Sequence, residues 1–384
     1  MIYMDNAAST PINKDVVTVM LRYMEQTYGN PSSIHREGRM ARRGVEDARR
    51  HVADLINADS SEIFFTSGGT ESNNAILRNP NYNNIITTQI EHDSVLEPCR
   101  SRVAQESDRV NITYLPPDEF GMISPESLES AITRHTDLVS IMTANNEVGT
   151  IQPIEEISAV CKKYNVRLHT DMVQAVGKIP IDVKRMGVDV ASISSHKLGG
   201  PKGIGALYIR NGVELSPLIY GGGQEKGFRS GTENVPAIVG FGQACLISKQ
   251  QLQSNAQHVK SLRDAMVDGI VSKVSHVAYN GHPLHRLPGN AHLAFLGVNG
   301  EDMIIKLDEY GISASTGSAC SVHTQKESHV LRAMNLPNDV ISGSLRLTLG
   351  PNNTMTDIDS VVSTIKNVVA ELRRVSPLKE KYAF

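Results

Sequence analysis

Short apolar runs separated by stretches of helical periodicity recur through the first two thirds of the chain, and this alternation restricts the fold more than any other feature. Strands joined through amphipathic helices build a mostly parallel sheet, because a parallel pair needs a crossover long enough to hold a helix. The runs at 63–65, 85–88, 138–143, 167–170 and 190–194 are predicted strands. Ile154, Ile157, Val160, Cys161 and Tyr164 recur at helical spacing, with Pro153 where a first turn tolerates it. From about 232 to 274 the pattern is helical and poor in glycine, as suits a connector between domains. The remainder mixes predicted strands at 291–296 and 345–349 with a turn region at 313–320 and a last helix near 358–372, and reads as a smaller α+β domain. A length of 384 residues, more than one compact core, agrees with this α/β division.

Composition removes several classes of function. With 38 Lys+Arg against 41 Asp+Glu the net charge is −3, which argues for neither nucleic acid nor an anionic membrane as partner. No stretch approaches the roughly 20 apolar residues that span a bilayer, and Met1-Ile2-Tyr3-Met4-Asp5 lacks the basic and apolar regions of a signal peptide. A soluble, cytoplasmic protein is expected. The four cysteines lie far apart, so neither a disulfide framework nor a cysteine metal site is expected. Arg36, Arg39, Arg42, Arg43, Arg49 and Arg50 are interleaved with Glu37, Glu46 and Asp47, and read as a solvated helix face.

Residues able to do chemistry fall at predicted strand ends, where open α/β sheets place their ligands. Phe64-Phe65-Thr66-Ser67-Gly68-Gly69-Thr70-Glu71 runs from a strand through a small-residue turn into a helix. Gly69 and Thr70 could hold a phosphate on backbone N–H groups, or Thr70 could simply cap the helix. The turn matches neither a P-loop nor a dinucleotide fingerprint, which argues against a nucleotide and a Rossmann dehydrogenase. Lys197, in Ser194-Ser195-His196-Lys197-Leu198-Gly199-Gly200, is either a solvated loop lysine or an amine poised to attack an aldehyde, with Ser194 and His196 beside it as donors. Asp171, in His169-Thr170-Asp171-Met172-Val173-Gln174, is either a helix cap or a carboxylate for a protonated ring nitrogen. Arg346 stands among leucines in Leu345-Arg346-Leu347, where burial without a partner is expensive, and is either an exposed surface arginine or a group that binds an anion. Cys99, Cys161 and Cys245 fall among apolar residues and read as core. Cys320 lies in a run of small polar residues, Ser315-Thr316-Gly317-Ser318-Ala319-Cys320-Ser321, and reads as an accessible thiol.

Taken together, Tyr3-Met4-Asp5-Asn6-Ala7-Ala8, Gly29-Asn30-Pro31-Ser32-Ser33, Glu91-His92, Asn145-Asn146-Glu147-Val148-Gly149, Arg229-Ser230-Gly231-Thr232 and Ser318-Ala319-Cys320 resemble, in order and end to end, the cysteine desulfurases of the NifS/IscS kind, within the class V aminotransferases. The resemblance implies a pyridoxal-phosphate transferase of fold type I. Residues 13–255 would form a large domain with a mostly parallel seven-stranded sheet. Residues 1–12 and 256–384 would form the small domain, with a catalytic-cysteine loop at about 315–330. It implies that Lys197 bonds the cofactor aldehyde, Asp171 pairs with the pyridine nitrogen, and His92 stacks on the ring and carries protons. Gln174 and Asn146 would hold the ring's oxygen side. Gly69, Thr70, Ser194 and His196 would bind the phosphate, joined across a homodimer by Thr232. Arg346 and Asn146 would bind the carboxylate of L-cysteine, and Cys320 would take its sulfur as a persulfide.

The implied partner is a sulfur-acceptor protein, an iron–sulfur scaffold or a thiolation enzyme, and the implied pathway is iron–sulfur cluster assembly. Rival readings within the enzyme class are a selenocysteine lyase and an aminotransferase, neither of which needs a loop cysteine, and outside it an idle scaffold, which would be expected to lose Lys197 or Cys320. Two features depart from the family pattern: Glu327 stands where such proteins often carry proline, and the chain stops soon after Ser376-Pro377-Leu378, without the longer tail some relatives use with an iron–sulfur scaffold protein.

Overall fold

The computed structural model of the protein describes residues 1–317 and 327–382. The first strand, β1 (Ile2–Tyr3), belongs to a small sheet treated below; the next seven build the central one. These are β2 (Ile63–Thr66), β3 (Asn84–Thr88), β4 (Asn111–Leu115), β5 (Leu138–Ser140), β6 (Arg167–Asp171), β7 (Val190–Ser194) and β8 (Gly205–Ile209), ordered β2-β8-β7-β6-β5-β3-β4. Neighbours run parallel except where β8 meets β7 and β2. The sheet is the mostly parallel seven-stranded one that the resemblance implies.

The sequence pattern does not pick out β4 or β8, for different reasons. β4 is an edge strand with only Leu115 buried, so it lacks an apolar signature. β8 opens on Gly205, whose missing side chain lets Gly68 approach; an added Cβ would lie 2.7 Å from the Gly68 Cα. The strand predicted over 138–143 ends at Ser140, although the N–H groups of Ile141 and Thr143 still bond the carbonyls of His169 and Asp171 at 3.1 and 2.9 Å.

A second core gathers Met4 with residues between Val259 and Val369. It packs against β10 (Asn290–Phe295), flanked by β9 (Val277–Asn280) and β12 (Ser344–Thr348) in an antiparallel sheet, while β1 pairs in parallel with β11 (Ile312–Ser313). The 39-residue helix Val235–Lys273 spans both cores, burying Ile238, Phe241 and Cys245 in the first and Leu262, Met266 and Ile270 in the second. Among the described residues no helix is long and apolar enough to cross a membrane.

Cys99, Cys161 and Cys245 are buried, and burial pushes the thiols of Cys99 and Cys161 up to about 12, as suits inert core residues. One reading needs correction. Arg49 does not share a solvated face with its neighbours on the helix Arg36–Ile56; it is buried and clasps Glu225 through Nη1 and Nη2 at 2.7 and 2.8 Å. A charged group inside the protein requires such a partner.

Burial also holds three histidines neutral. His169, fixed by the hydroxyls of Ser140 and Ser192 at 2.8 and 3.1 Å, and His292 are each lowered to about 3; His196 is lowered to about 4 by burial and then by Lys197, Lys202 and Lys178. Unfolded histidines take up protons near 6.5, so the unfolded chain binds more protons than the folded one below that pH. Stability is therefore expected to be complete above pH 6.5 and to be lost as pH falls toward 4 and 3, at up to ~1.4 kcal/mol per pH unit for each fully buried group. Denaturant midpoints measured from pH 7 to pH 4 check this; a flat profile would contradict it.

Candidate active site

Three loops at one edge of the central sheet bring the chemical groups together. After β2, Gly68 (φ +152°) caps the helix Gly69–Leu77 and is favoured as glycine by conformation, while at Gly69 an added Cβ would lie 2.7 Å from Val173 Cγ2, so glycine there is favoured by space. The first helical bond runs from Ser72 N–H to Gly68 O at 3.1 Å. The amides of Gly69 and Thr70 ahead of it have no intrahelical acceptor and lie at the positive end of the helix. Ser194 Oγ stands 3.9 Å from where a Gly68 Cβ would be, completing a cradle for an anion. Thr70 is in the first turn and not the cap, so the capping alternative does not hold. Glu71, on the same turn, is lowered despite burial by bonds to Arg229 and Ser67, with Arg229 Nε at 3.0 Å.

β6 ends in Asp171, whose carboxylate is held on both sides. Oδ1 accepts from Val173 N–H at 2.9 Å in a turn that leads into no helix, so the helix-cap alternative does not hold; Oδ2 accepts from Asn73 Nδ2 at 2.8 Å, a contact from a remote part of the chain. Asn73 also donates to Ser94 Oγ at 2.8 Å, and that hydroxyl lies 2.8 Å from His92 Nδ1. Because His92 Nδ1 accepts the Ser94 backbone N–H at 3.0 Å, the proton of the neutral ring resides on Nε2. Burial is the largest influence on His92 and lowers its proton affinity against the opposing pull of Asp171.

β7 delivers Lys197 through the turn Ser195–Lys197. Its Nζ donates to Ala7 O and Ala8 O at 2.6 and 2.7 Å, and Gln174 Nε2 donates to the same Ala7 carbonyl at 2.9 Å. Lys197, Gln174 and Lys178 line one cavity of about 360 Å³ beneath the N-terminal segment. His196 turns toward that segment, with Nδ1 3.3 Å from Ser9 Oγ.

Arg346, on β12, is 3 % exposed and is paired after all, through Nη2 to Asp5 Oδ1 at 2.8 Å. Nη1 donates to Asn146 O at 2.9 Å and Gly317 O at 3.3 Å, while Nε has no hydrogen-bond partner among the described residues. Five N–H groups against three bonds leave Nε–H and one Nη2–H, enough for a second carboxylate. Asn146 enters this arrangement through its carbonyl.

Thr232 lines a separate hollow of about 270 Å³ with Ser67, Gly203 and Arg229, away from the Lys197 cavity. Cys320 lies outside the described residues. The positions flanking its stretch meet on one buried carboxyl: Ser328 Oγ donates to Glu147 Oε2 at 2.5 Å, and an added Cβ on Gly317 would lie 3.3 Å from the same atom. Glu327, unusual in sequence, pairs with Arg332. Sequence reasoning assigns no role to Asn73, Asp5, Lys178 or the Ala7 and Ala8 carbonyls. Asn73, four residues beyond Gly69 on a helix and therefore on the same face, carried the one readable signal.

These groups fit pyridoxal phosphate: a glycine cradle at a helix start for the phosphate, a buried carboxylate for the ring nitrogen, and a lysine amine on the turn after β7 for the aldehyde. The class V aminotransferase family profile matches residues 2–361. A cysteine desulfurase IscS from Methanosarcina thermophila is 45 % identical over 99 % of this chain and 95 % of its own length. Among solved structures, a NifS-like protein superposes with a TM-score of 0.90 at 38 % identity, covering 97 % of this chain and all of the other. SspA in complex with cysteine superposes at 0.81 with 36 % identity, covering 92 % of this chain and 100 % of that one. With near-complete coverage and a shared backbone, this chain belongs to the cysteine desulfurase family of the class V aminotransferases.

Proposed function

We propose that the protein is a cysteine desulfurase that converts L-cysteine to L-alanine and leaves the sulfur on Cys320 as a persulfide. One observation carries the substrate class: the amine of Lys197 and the guanidinium of Arg346 are both tied to the four-residue segment from Asp5 to Ala8. An amino acid can thus lie with its nitrogen toward one and its carboxylate toward the other.

When bound, pyridoxal phosphate supplies an electron sink for a carbanion at the substrate's Cα. Gly69, Thr70, Ser194 and a neutral His196 would hold its phosphate, and Gln174 and Asn146 would hold its ring's oxygen side. Asp171, its carboxylate fixed by Asn73, keeps a proton on the ring nitrogen. Lys197 Nζ would hold the cofactor by its aldehyde, and it is the base that would remove and return the proton at the substrate's Cα. His92 Nε2 moves protons between the thiols. Cys320 takes the sulfur: the substrate's C–S bond breaks, an S–S bond forms, and the hydrogen lost from Cys320 ends on the methyl of alanine, so no further reactant is required.

The purified protein, loaded with pyridoxal phosphate and given L-cysteine and dithiothreitol, is expected to release alanine and sulfide in equal amounts. Pyruvate and ammonia in place of alanine would defeat the proposal. Arg346→Lys keeps the charge but loses the fork, and is expected to raise KM for L-cysteine roughly tenfold, the worth of one charge-assisted hydrogen bond, with kcat changing less. A KM equal to that of the parent protein would remove Arg346 from the carboxylate site.

The working protein in this reading is a cytoplasmic homodimer in which Thr232 reaches the partner's phosphate. Exposed Tyr28, Ile34 and Tyr220, at 76, 90 and 81 %, support a covered surface. The persulfide passes to an acceptor protein, an iron–sulfur scaffold in our reading.

A further inference from the structure

Lys178 is a second amine at the wall of the Lys197 cavity, and nothing in the reaction above uses it. Its Nζ donates to Gln174 Oε1 at 2.7 Å. An ammonium group has hydrogen to give and no lone pair, so it accepts only the oxygen end of the Gln174 amide. The NH2 end then faces the other way, where it bonds Ala7 O at 2.9 Å, the carbonyl that also receives Lys197 Nζ at 2.6 Å. Lys178 and the Ala7 carbonyl therefore fix the amide of Gln174 from its two ends. Without it, Oε1 would be left unpaired in a residue only 6 % exposed, a loss of the kind that lets an amide rotate.

We propose that Lys178 is a positioning residue: by holding Oε1 of Gln174 it presents that residue's NH2 group to the ring oxygen of pyridoxal phosphate, and so sets the pH at which the bound cofactor titrates. The inference rests on the proposed function, which places Gln174 at that oxygen. A donor there stabilises the deprotonated oxygen and lowers the proton affinity of the bound cofactor. The titratable groups around Lys178 are Lys197 and the neutral His196 from the turn after β7, Arg346 from β12, and Met1, Tyr3 and Asp357, which line the same cavity. Burial and then the like charges of Lys197 and Arg346 lower Lys178 to about 7, and charged or neutral it retains hydrogens for Oε1.

The test is a pH titration of the visible absorption band of the pyridoxal-phosphate-loaded protein, compared among the parent, Lys178→Met, Lys178→Arg, Gln174→Leu and the Lys178→Met/Gln174→Leu double variant. The midpoint is expected to rise by about one unit, a tenfold gain in proton affinity, in Lys178→Met and Gln174→Leu alike. The double variant should move no further than either single one, and Lys178→Arg, which keeps a donor, should titrate close to the parent. A Lys178→Met midpoint equal to the parent's beside a shifted Gln174→Leu would overturn the inference and leave the proposed function standing, as would additive shifts in the double variant. Absence of any band in the parent would instead overturn the proposed function itself, and the inference with it.

Discussion

Lys197→Ala is expected to abolish covalent retention of pyridoxal phosphate and to lower alanine formation by at least about 10⁴-fold, since one amine serves as nucleophile and as base. Borohydride reduction followed by peptide mapping should attach the cofactor to Lys197 in the parent and nowhere in the variant. The geometry makes substitution by another group difficult. Lys178, which lines the same cavity, is engaged by Gln174 Oε1, while Lys197 is aimed at the Ala7 and Ala8 carbonyls. The fold should survive, because Lys197 is only half-buried and its partners are backbone carbonyls that water can satisfy. An unaltered melting temperature with full activity would show that another residue holds the cofactor.

Cys320→Ser is the second large effect, with alanine formation expected to fall about 10³-fold or more while the cofactor spectrum stays that of the parent. A serine hydroxyl cannot act as a thiolate, and the three other cysteines cannot replace it. Cys99, Cys161 and Cys245 are buried, with thiols pushed far from the ionised form. The sulfur label from L-cysteine should therefore stay off the variant chain in a mass spectrum taken without reductant. Label found on Cys99, Cys161 or Cys245 would assign the role elsewhere. Glu147→Gln offers a milder companion change, since the carboxyl joining Ser328 and Gly317 is buried and raised chiefly by that burial.

How far the sequence carried the site depended on whether a residue acts through its own side chain or through a distant partner. Lys197, Asp171 and Arg346 could be suspected because each puts a charge at the end of, or within, an apolar strand, and a charge there needs a reason. Yet each remained ambiguous: a surface lysine, a cap, an exposed arginine. What removed the ambiguity were partners remote in the chain, Ala7 for Lys197, Asn73 for Asp171 and Asp5 for Arg346. Such contacts have no local pattern: those of Ala7 and Asp5 arise when β1 and its following segment are laid against β11 and β12 from the far end of the chain, and that of Asn73 when the helix after β2 packs on β6.

The sequence by itself determined the alternation of strands and helices, the inert character of three cysteines and the list of residues capable of chemistry, since each follows from local periodicity and side-chain type. Only the tertiary structure decided that Arg49 is buried on Glu225, that β8 runs antiparallel behind a glycine contact, and that Lys178 donates to Gln174. Those are facts of packing, fixed by the requirement that every buried charge and amide find a complement wherever in the chain one can be brought.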